Sequence, residues 1–513
     1  MARILAWLSG AACVAACAVA SPAAAEWRQA TSSHFIVYGD TSETSLRATA
    51  ERLERFDGVL RYFHAMPAKP AGEDEANKLT VYIVPSVGAV QRLYGKGGND
   101  VAGFYFGRAS GSVAFVPDKG MGDGDNGLQP QIVLFHEYAH HMLLTNYAIA
   151  YPSWFAEGYA EFASTTRFDK DKIWVGGAAQ HRAYSLLLTR GLTVQQLFEA
   201  DRRKLKAEDT ESLYARGWLL THYLMLDDTR RKAFQRFLVA FNKGTPSLEA
   251  AKAAFGDLGS LNRDLNAYLN RNTLPAVTIP MDKLPTPRVS VRLLTEGERA
   301  LIPLRIRSDR GVGEKDAADV FARAAPLAAR FPADATAQGW FAEMAYDAGK
   351  DDEAEAAADR ALTHDQRSIQ ALIYKAKVHL RRAVTRKADV AGWTEARSWL
   401  LKANKVENDN AEALETYYDS FGMANVKPTK NAVDALYRAM ELVPQDDNLR
   451  FRLARQTLID GDVGTGRQVL RPLAYSPHAS ADNAAARLLA LLDDGKSGPA
   501  AIAALEDGGN PAK

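Results

Sequence analysis

Cysteine is almost missing from this 513-residue chain. There are two, Cys13 and Cys17, both inside an apolar N-terminal run. If that run is removed on export, as expected below, no thiol remains. That excludes a disulfide framework and a thiolate metal centre, and leaves histidine and carboxylate as metal-holding side chains. An excess of either charge is also missing: Lys+Arg is 63 and Asp+Glu is 62. No field of one sign therefore draws the chain to nucleic acid or anionic lipid, and neither is expected as a partner. Beyond residue 20 no apolar run reaches membrane-spanning length. What remains is an ordinary globular composition, 47% hydrophobic and 24% charged, long enough for two or three domains.

The N-terminus reads as a secretory signal. Arg3 gives a positive start, residues 4–20 are apolar, and Ala23-Ala24-Ala25 offers an A-x-A cleavage site before Glu26. The signal is of bacterial type, so the expected address is the periplasm or the exterior, with cleavage after Ala25. Val14-Ala15-Ala16-Cys17 also resembles a lipobox. That alternative leaves a lipid on Cys17, and it is the one route by which a membrane enters this reading.

The chain is organised around Ile132-Val133-Leu134-Phe135-His136-Glu137-Tyr138-Ala139-His140, an apolar helix carrying H-E-x-x-H. At about 100° per residue, His136 and His140 lie on one face about 6 Å apart, a spacing that lets two imidazoles grip one Zn²⁺. Glu137 points to the side of that pair, where a general base for an attacking water belongs. Apolar neighbours on both sides predict a buried helix, and three ionisable groups buried together are costly unless a metal or partners satisfy them. His141 points about 100° away from His140 and is expected to pack or hydrogen-bond elsewhere.

A second helix follows at Ser153-Trp154-Phe155-Ala156-Glu157-Gly158-Tyr159-Ala160-Glu161-Phe162. Glu157 and Glu161, four apart, face the same way. A catalytic zinc site wants three protein ligands, so Glu157 is expected to be the third and Glu161 to hydrogen-bond a ligating histidine from behind. The reverse assignment, Glu161 as ligand, stays open. His181 and His222 sit further on and are not expected at the site.

H-E-x-x-H followed by W-F-A-E-G-Y-A-E-F resembles the gluzincin metallopeptidases, including the aminopeptidase N family and bacterial peptidase-MA-like proteins. The resemblance implies a zincin-like α+β domain with one Zn²⁺ held by His136, His140 and Glu157. Leu213-Tyr214-Ala215-Arg216-Gly217 resembles their Y-x-K-G segment, whose tyrosine stabilises the transition state; by that match Tyr214 donates to the oxyanion. A core tyrosine on an amphipathic helix is the other reading. The G-x-M-E-N strand of the aminopeptidases has no counterpart, since Gly103-Phe104-Tyr105-Phe106-Gly107 lacks its Glu. The resemblance thus implies an endopeptidase rather than an aminopeptidase. Residues 113–116 are expected to form an edge strand that pairs with an extended peptide.

Strands are predicted at 34–38, 79–84, 103–105 and 112–116, with helices over 44–64 and 86–93. The acidic loop at 123–127 lacks calcium-loop spacing and is expected to be mobile. Four prolines within 274–287 predict a linker, and apolar runs at 289–294 and 301–306 predict a short hairpin. From 313 the chain turns Ala-rich. Trp340 to Gly349 followed by Glu353 to Leu362 resembles a tetratricopeptide repeat. Pro444 and Pro477, one near-period of about 34 residues apart, mark further units, with an insertion near 384–392. Such stacks bind proteins or extended peptides on a concave face.

The expected organisation is therefore a signal peptide at 1–25, a gluzincin domain at 26–272, a Pro-rich linker at 273–312, helical repeats at 313–495 and a mobile tail at 496–513. The expected activity is zinc-dependent hydrolysis of peptide bonds in exported or envelope proteins. A non-catalytic repeat adaptor with a vestigial zinc domain, and a zinc hydrolase acting on a non-peptide amide, are the alternatives.

Overall fold

The computed structural model describes residues 26–67, 77–99, 101–121, 128–146, 149–200, 205–475 and 483–508. The export segment with Cys13 and Cys17, and the acidic loop at 123–127, lie outside the described residues. The chain is mixed α+β, with a small sheet followed by a long helical region.

β1 (Trp27–Thr31) and β2 (Phe35–Asp40) pair antiparallel. α1 (Glu43–Phe63) follows, capped by the Ser42 hydroxyl accepting from the Ser45 N–H. Next come β3 (Leu79–Val84), α2 (Val87–Tyr94), β4 (Phe104–Phe106) and β5 (Val113–Pro117). β2, β3 and β5 run parallel as neighbours, and β4 pairs antiparallel on the outside of β5. The expected edge strand at 113–116 is therefore interior, and β4 is the edge. The error has a physical source. A strand buried on both faces reads as an unbroken apolar run, and so does Ser112-Val113-Ala114-Phe115-Val116; an exposed edge would alternate.

α3 (Pro130–Asn146) and α4 (Ser153–Ser164) carry the histidines and the two glutamates. Pro130 opens α3 at the turn where a missing N–H costs nothing. One face of the sheet (Phe35, Val37, Leu79, Val81) packs on α1 and α3, where the Phe56 and Phe135 rings stack at 3.9 Å. Two short strands, β6 (Arg167–Phe168) and β7 (Lys172–Val175), precede a helical cluster: α5 (Ala183–Leu188), α6 (Val194–Glu199), α7 (Ala207–Met225), α8 (Asp228–Asn242), α9 (Ser247–Phe255) and α10 (Leu258–Leu269).

The Pro-rich linker and hairpin expected at 273–312 are not there. β8 (Val277–Pro280) pairs with β7, and β9 (Ser290–Leu293) closes the main sheet against β1, giving the order β4-β5-β3-β2-β1-β9. Residues 301–306 belong instead to α11 (Glu296–Arg310). Its signal is Thr295-x-x-Glu298, a reciprocal capping box, which outweighs the breaker Pro303 inside the helix.

α12 (Glu314–Ala328) and then antiparallel helices continue: α13 (Ala335–Asp347), α14 (Asp351–His364), α15 (Ile369–Thr385), α16 (Val390–Val406), α17 (Ala411–Met423), α18 (Lys430–Leu442), α19 (Asp447–Ile459), α20 (Val463–Ala474), α21 (Ala484–Asp493) and α22 (Gly498–Gly508). The expected insertion at 384–392 is taken up by lengthening α15 and α16 to 17 residues each. The tail expected to be mobile from 496 is α22 as far as 508. Its Ala501 and Ile502 are buried in the cluster with Leu458 and Leu492, because the A-A-I-A-A-L run supplies an apolar face.

The helical region is not a separate module on a tether. The second face of the sheet (Ile36, Tyr38, Tyr82, Phe115) is covered by α11, α12 and α13, with Trp340 edge-on to Tyr38 at 6.3 Å. The array also returns to the first region further along: Ala109 N–H donates to Asp446 at 2.8 Å, Gln445 donates to Ser112 Oγ at 3.0 Å, and Phe241 meets Tyr475. No helix among the described residues is long and apolar enough to cross a membrane.

Candidate metal centre

α3 presents His136 and His140 with their Nε2 atoms 3.1 Å apart. α4 brings Glu157 Oε2 to 3.4 Å from each. The three atoms form a nearly equilateral triangle, and the three residues are the one group of metal-capable side chains found among the described residues. A four-coordinate ion with bonds of about 2.0–2.1 Å separates its ligand atoms by about 3.3–3.4 Å. The donor set and its spacing fit a divalent cation such as Zn²⁺, and leave one coordination position unfilled by protein.

The surroundings fit a cation too. Glu157 and Glu161 are 2% and 1% exposed, so two carboxylates are buried beside two imidazoles. Burial alone would push His136 below its usual range. Hydrogen bonds to Glu157 and Glu161, and the charges of Glu161 and Glu137, outweigh burial and hold it up at about 10. With no metal, a proton on His136 is the compensating positive charge.

Glu161 sits behind the triangle. Its Oε1 lies 3.3 Å from His136 Nδ1 and accepts from Arg182 Nη2 at 2.7 Å, while its Oε2 accepts from His181 at 2.7 Å. Burial alone would raise the Glu161 carboxyl, but the Arg182 charge and the hydrogen bonds from His136 and His181 hold it well below the usual range. Glu161 thus stays charged and turns His136 so that Nε2 faces the triangle. Glu157, not Glu161, is the carboxylate that meets both Nε2 atoms.

His181, which the sequence does not place at the site, joins it through Glu161. It and Arg182 lie in a short 3-10 turn, 180–182, ahead of α5. Nothing in their spacing announces the role. The one available signal was that a carboxylate on an apolar helix needs a cationic partner.

Arg182 also donates to Glu211 at 2.8 Å, and its guanidinium lies over the Tyr214 ring at 5.0 Å. Tyr214 stacks beside His136, ring centroids 6.0 Å apart, and lines the same cavity as the triangle and Glu137. His141 and His222 make their bonds elsewhere. His141 bonds Tyr105 at 2.9 Å. His222 is fully buried between Tyr268 and the Gly176 carbonyl, away from the site as expected.

No protein-family model and no curated protein matches the chain.

What function the site supports therefore rests on its own geometry. Two imidazoles and a carboxylate converge in a cavity. A buried glutamate adjoins them, with Gly103 so close that a Cβ there would meet Glu137 Oε1 at 3.2 Å. A phenol flanks the other side.

Proposed function

We propose that the chain is a zinc-dependent peptide hydrolase, cutting within unstructured peptide chains. The observation that carries this is the His136–His140–Glu157 triangle, set in one cavity with Glu137 and Tyr214. A bound Zn²⁺ would polarise the scissile carbonyl and make water a better nucleophile at neutral pH. Glu137 takes the proton from the attacking water as the C–O bond forms, and delivers it to the departing amine nitrogen as the C–N bond breaks. Tyr214 donates its hydroxyl proton in a hydrogen bond to the oxygen that gains charge. Arg182 and His181 hold Glu161, and Glu161 holds His136. In this reading the α+β region is zincin-like, the later helices are tetratricopeptide-like repeats, and the chain acts after export on peptides outside the cytoplasm.

The deciding comparison is Glu137→Gln against wild type, both as full-length protein. The substitution keeps size and polarity but removes the base. It should leave about one zinc per chain and lower peptide cleavage by at least about 10²-fold. Unchanged cleavage would end the proposal. Full-length variants are needed, because deleting the repeats would strip α12 and α13 from the second face of the sheet and expose it.

A further inference from the structure

The metal triangle sits in a recess that is only partly enclosed. It forms part of the floor of a cavity of about 1820 Å³ whose opposite wall is built by the helical region. α15, α17 and α19 contribute to that wall, with Lys377, Arg381, Glu412, Glu415, Asp419 and Arg452 among its lining side chains. The enclosure is held at both ends. α11 to α13 are fused to the back of the sheet, and the α18–α19 turn is bonded to the 107–112 loop through Gln445 and Asp446. The packing at that second joint is tight: a Cβ on Gly107 would come within 2.2 Å of Gln445 Cγ.

We infer that the repeats roof the hydrolytic site, and that the chamber so formed admits free oligopeptides and unfolded segments while excluding folded proteins. The inference rests on the peptide-hydrolase reading for the identity of its occupant. Size is the first argument. The cavity exceeds the roughly 300–1,000 Å³ usual for a small-molecule pocket. A folded 100-residue domain, with a radius of gyration of about 13 Å, needs more than about 9,000 Å³.

Chemistry is the second argument. The six roof side chains are all paired: Lys377 with Glu412 and Arg452 with Glu415 and Asp419 within the wall, and Arg381 with Asp351 of α14 beside it. A polar but internally neutralised wall suits a neutral, hydrogen-bonding backbone better than a polyanion or a lipid chain. Position is the third. β4 is the outer strand of the sheet and residues 103–108 line the cavity, so an extended chain lying along β4 passes over the triangle and under the roof.

The test separates binding from cleavage. Zinc-loaded full-length Glu137→Gln is mixed with a fluorescein-labelled decapeptide of mixed sequence that carries a central benzophenone. Anisotropy reads affinity, and irradiation followed by mass spectrometry reads location. Cross-links are expected on both walls, in 103–108 and in 377–423. The same ten residues displayed in a loop of a folded domain should bind at least tenfold more weakly.

Val384 and Met423 line the cavity while 48% and 46% exposed, so Val384→Trp and Met423→Trp crowd the roof without disturbing a core. Each should weaken the decapeptide at least tenfold with zinc content unchanged. Cross-links confined to residues 26–270, equal affinity for the folded display, no response to either tryptophan, or no decapeptide binding at all would overturn the inference. If the decapeptide sits under the roof yet wild type cuts nothing, the hydrolase reading fails and the chamber survives. If wild type cuts decapeptides and folded displays alike, the chamber fails alone.

Discussion

Gly158 and Gly217 touch. A methyl group built on Gly158 would come within 2.3 Å of the Gly217 carbonyl oxygen, and one built on Gly217 would lie 2.5 Å from the Trp154 carbonyl. α4 and α7 therefore cross with their backbones in contact, which only glycine on both helices permits. Glu157 is the neighbour of one glycine, and Tyr214 lies one turn before the other. The crossing thus does more than pack two helices: it brings the third candidate ligand and the flanking phenol to the same side of the two imidazoles.

Gly158→Ala should consequently damage the metal site as well as the fold. The added methyl cannot be absorbed by a rotamer change, because it meets main chain. Overpacking of this kind costs about 1–3 kcal/mol, and backbone contact puts the expectation at the upper end. Urea unfolding should show that loss, and zinc affinity should fall with it because Glu157 is pushed off the triangle. Wild-type stability with wild-type zinc affinity would mean the crossing is looser than described.

The two glutamates of α4 should separate cleanly. Glu157→Ala removes one corner of the triangle, so the purified protein should retain little zinc after dialysis. Glu161→Gln leaves the triangle whole but neutralises the group that turns His136, so zinc should bind about 10–100-fold more weakly rather than be lost. Arg182→Ala should resemble Glu161→Gln, since it uncovers the same carboxylate. Equal zinc content in Glu157→Ala and wild type would move the third ligand elsewhere.

Tyr214→Phe tests the phenol without disturbing its surroundings. The ring stays available to stack on His136 and to carry the Arg182 guanidinium. Only the hydroxyl goes. The expected result is a fall in kcat of about 10²–10³-fold with KM and zinc content little changed, the pattern of an interaction made mainly in the transition state. An equal rate would return Tyr214 to a packing role.

How much of this was legible in the sequence follows from the range of each signal. The α3 and α4 helices, their same-face pairs and their burial are local, set by residues three and four apart, and the chain displays them openly. So are the helix pairs after 335. What escaped depends on distant partners. Ser290–Leu293 became a strand because Trp27–Thr31, some 260 residues earlier, left its outer edge free. Four prolines and a short apolar run look the same whether they drift as a linker or close a sheet. The inclusion of His181 in the site is of the same kind, since the need belongs to Glu161 and the answer lies twenty residues on. The roof over the triangle has no signature in either region alone.

One further prediction concerns pH and the joint between α1 and α4, on the same face of the sheet as α3. His64 caps the end of α1, with its Nε2 2.6 Å from the Tyr159 hydroxyl. Burial lowers its pKa from 6.5 to about 4, so it stays neutral in the folded chain where an unfolded histidine would already be charged. Between those two values the unfolded state binds more protons, and stability must fall as the pH falls. The contribution is fully present above about pH 6.5 and is lost progressively as pH falls to about 4, with a total of roughly 3 kcal/mol. Other buried groups titrate in the same interval. Asp419, raised by burial to about 6, works in the opposite sense, losing its contribution as pH rises through that value. The informative quantity is therefore the difference in unfolding free energy between wild type and His64→Gln, measured by urea denaturation from pH 4.5 to 7.5. That difference should shrink steadily toward acid, because glutamine keeps a hydrogen bond to Tyr159 but has no proton to gain. A difference that does not change with pH would show that His64 titrates alike in the folded and unfolded chains, and that the joint between α1 and α4 is wetter than its packing implies.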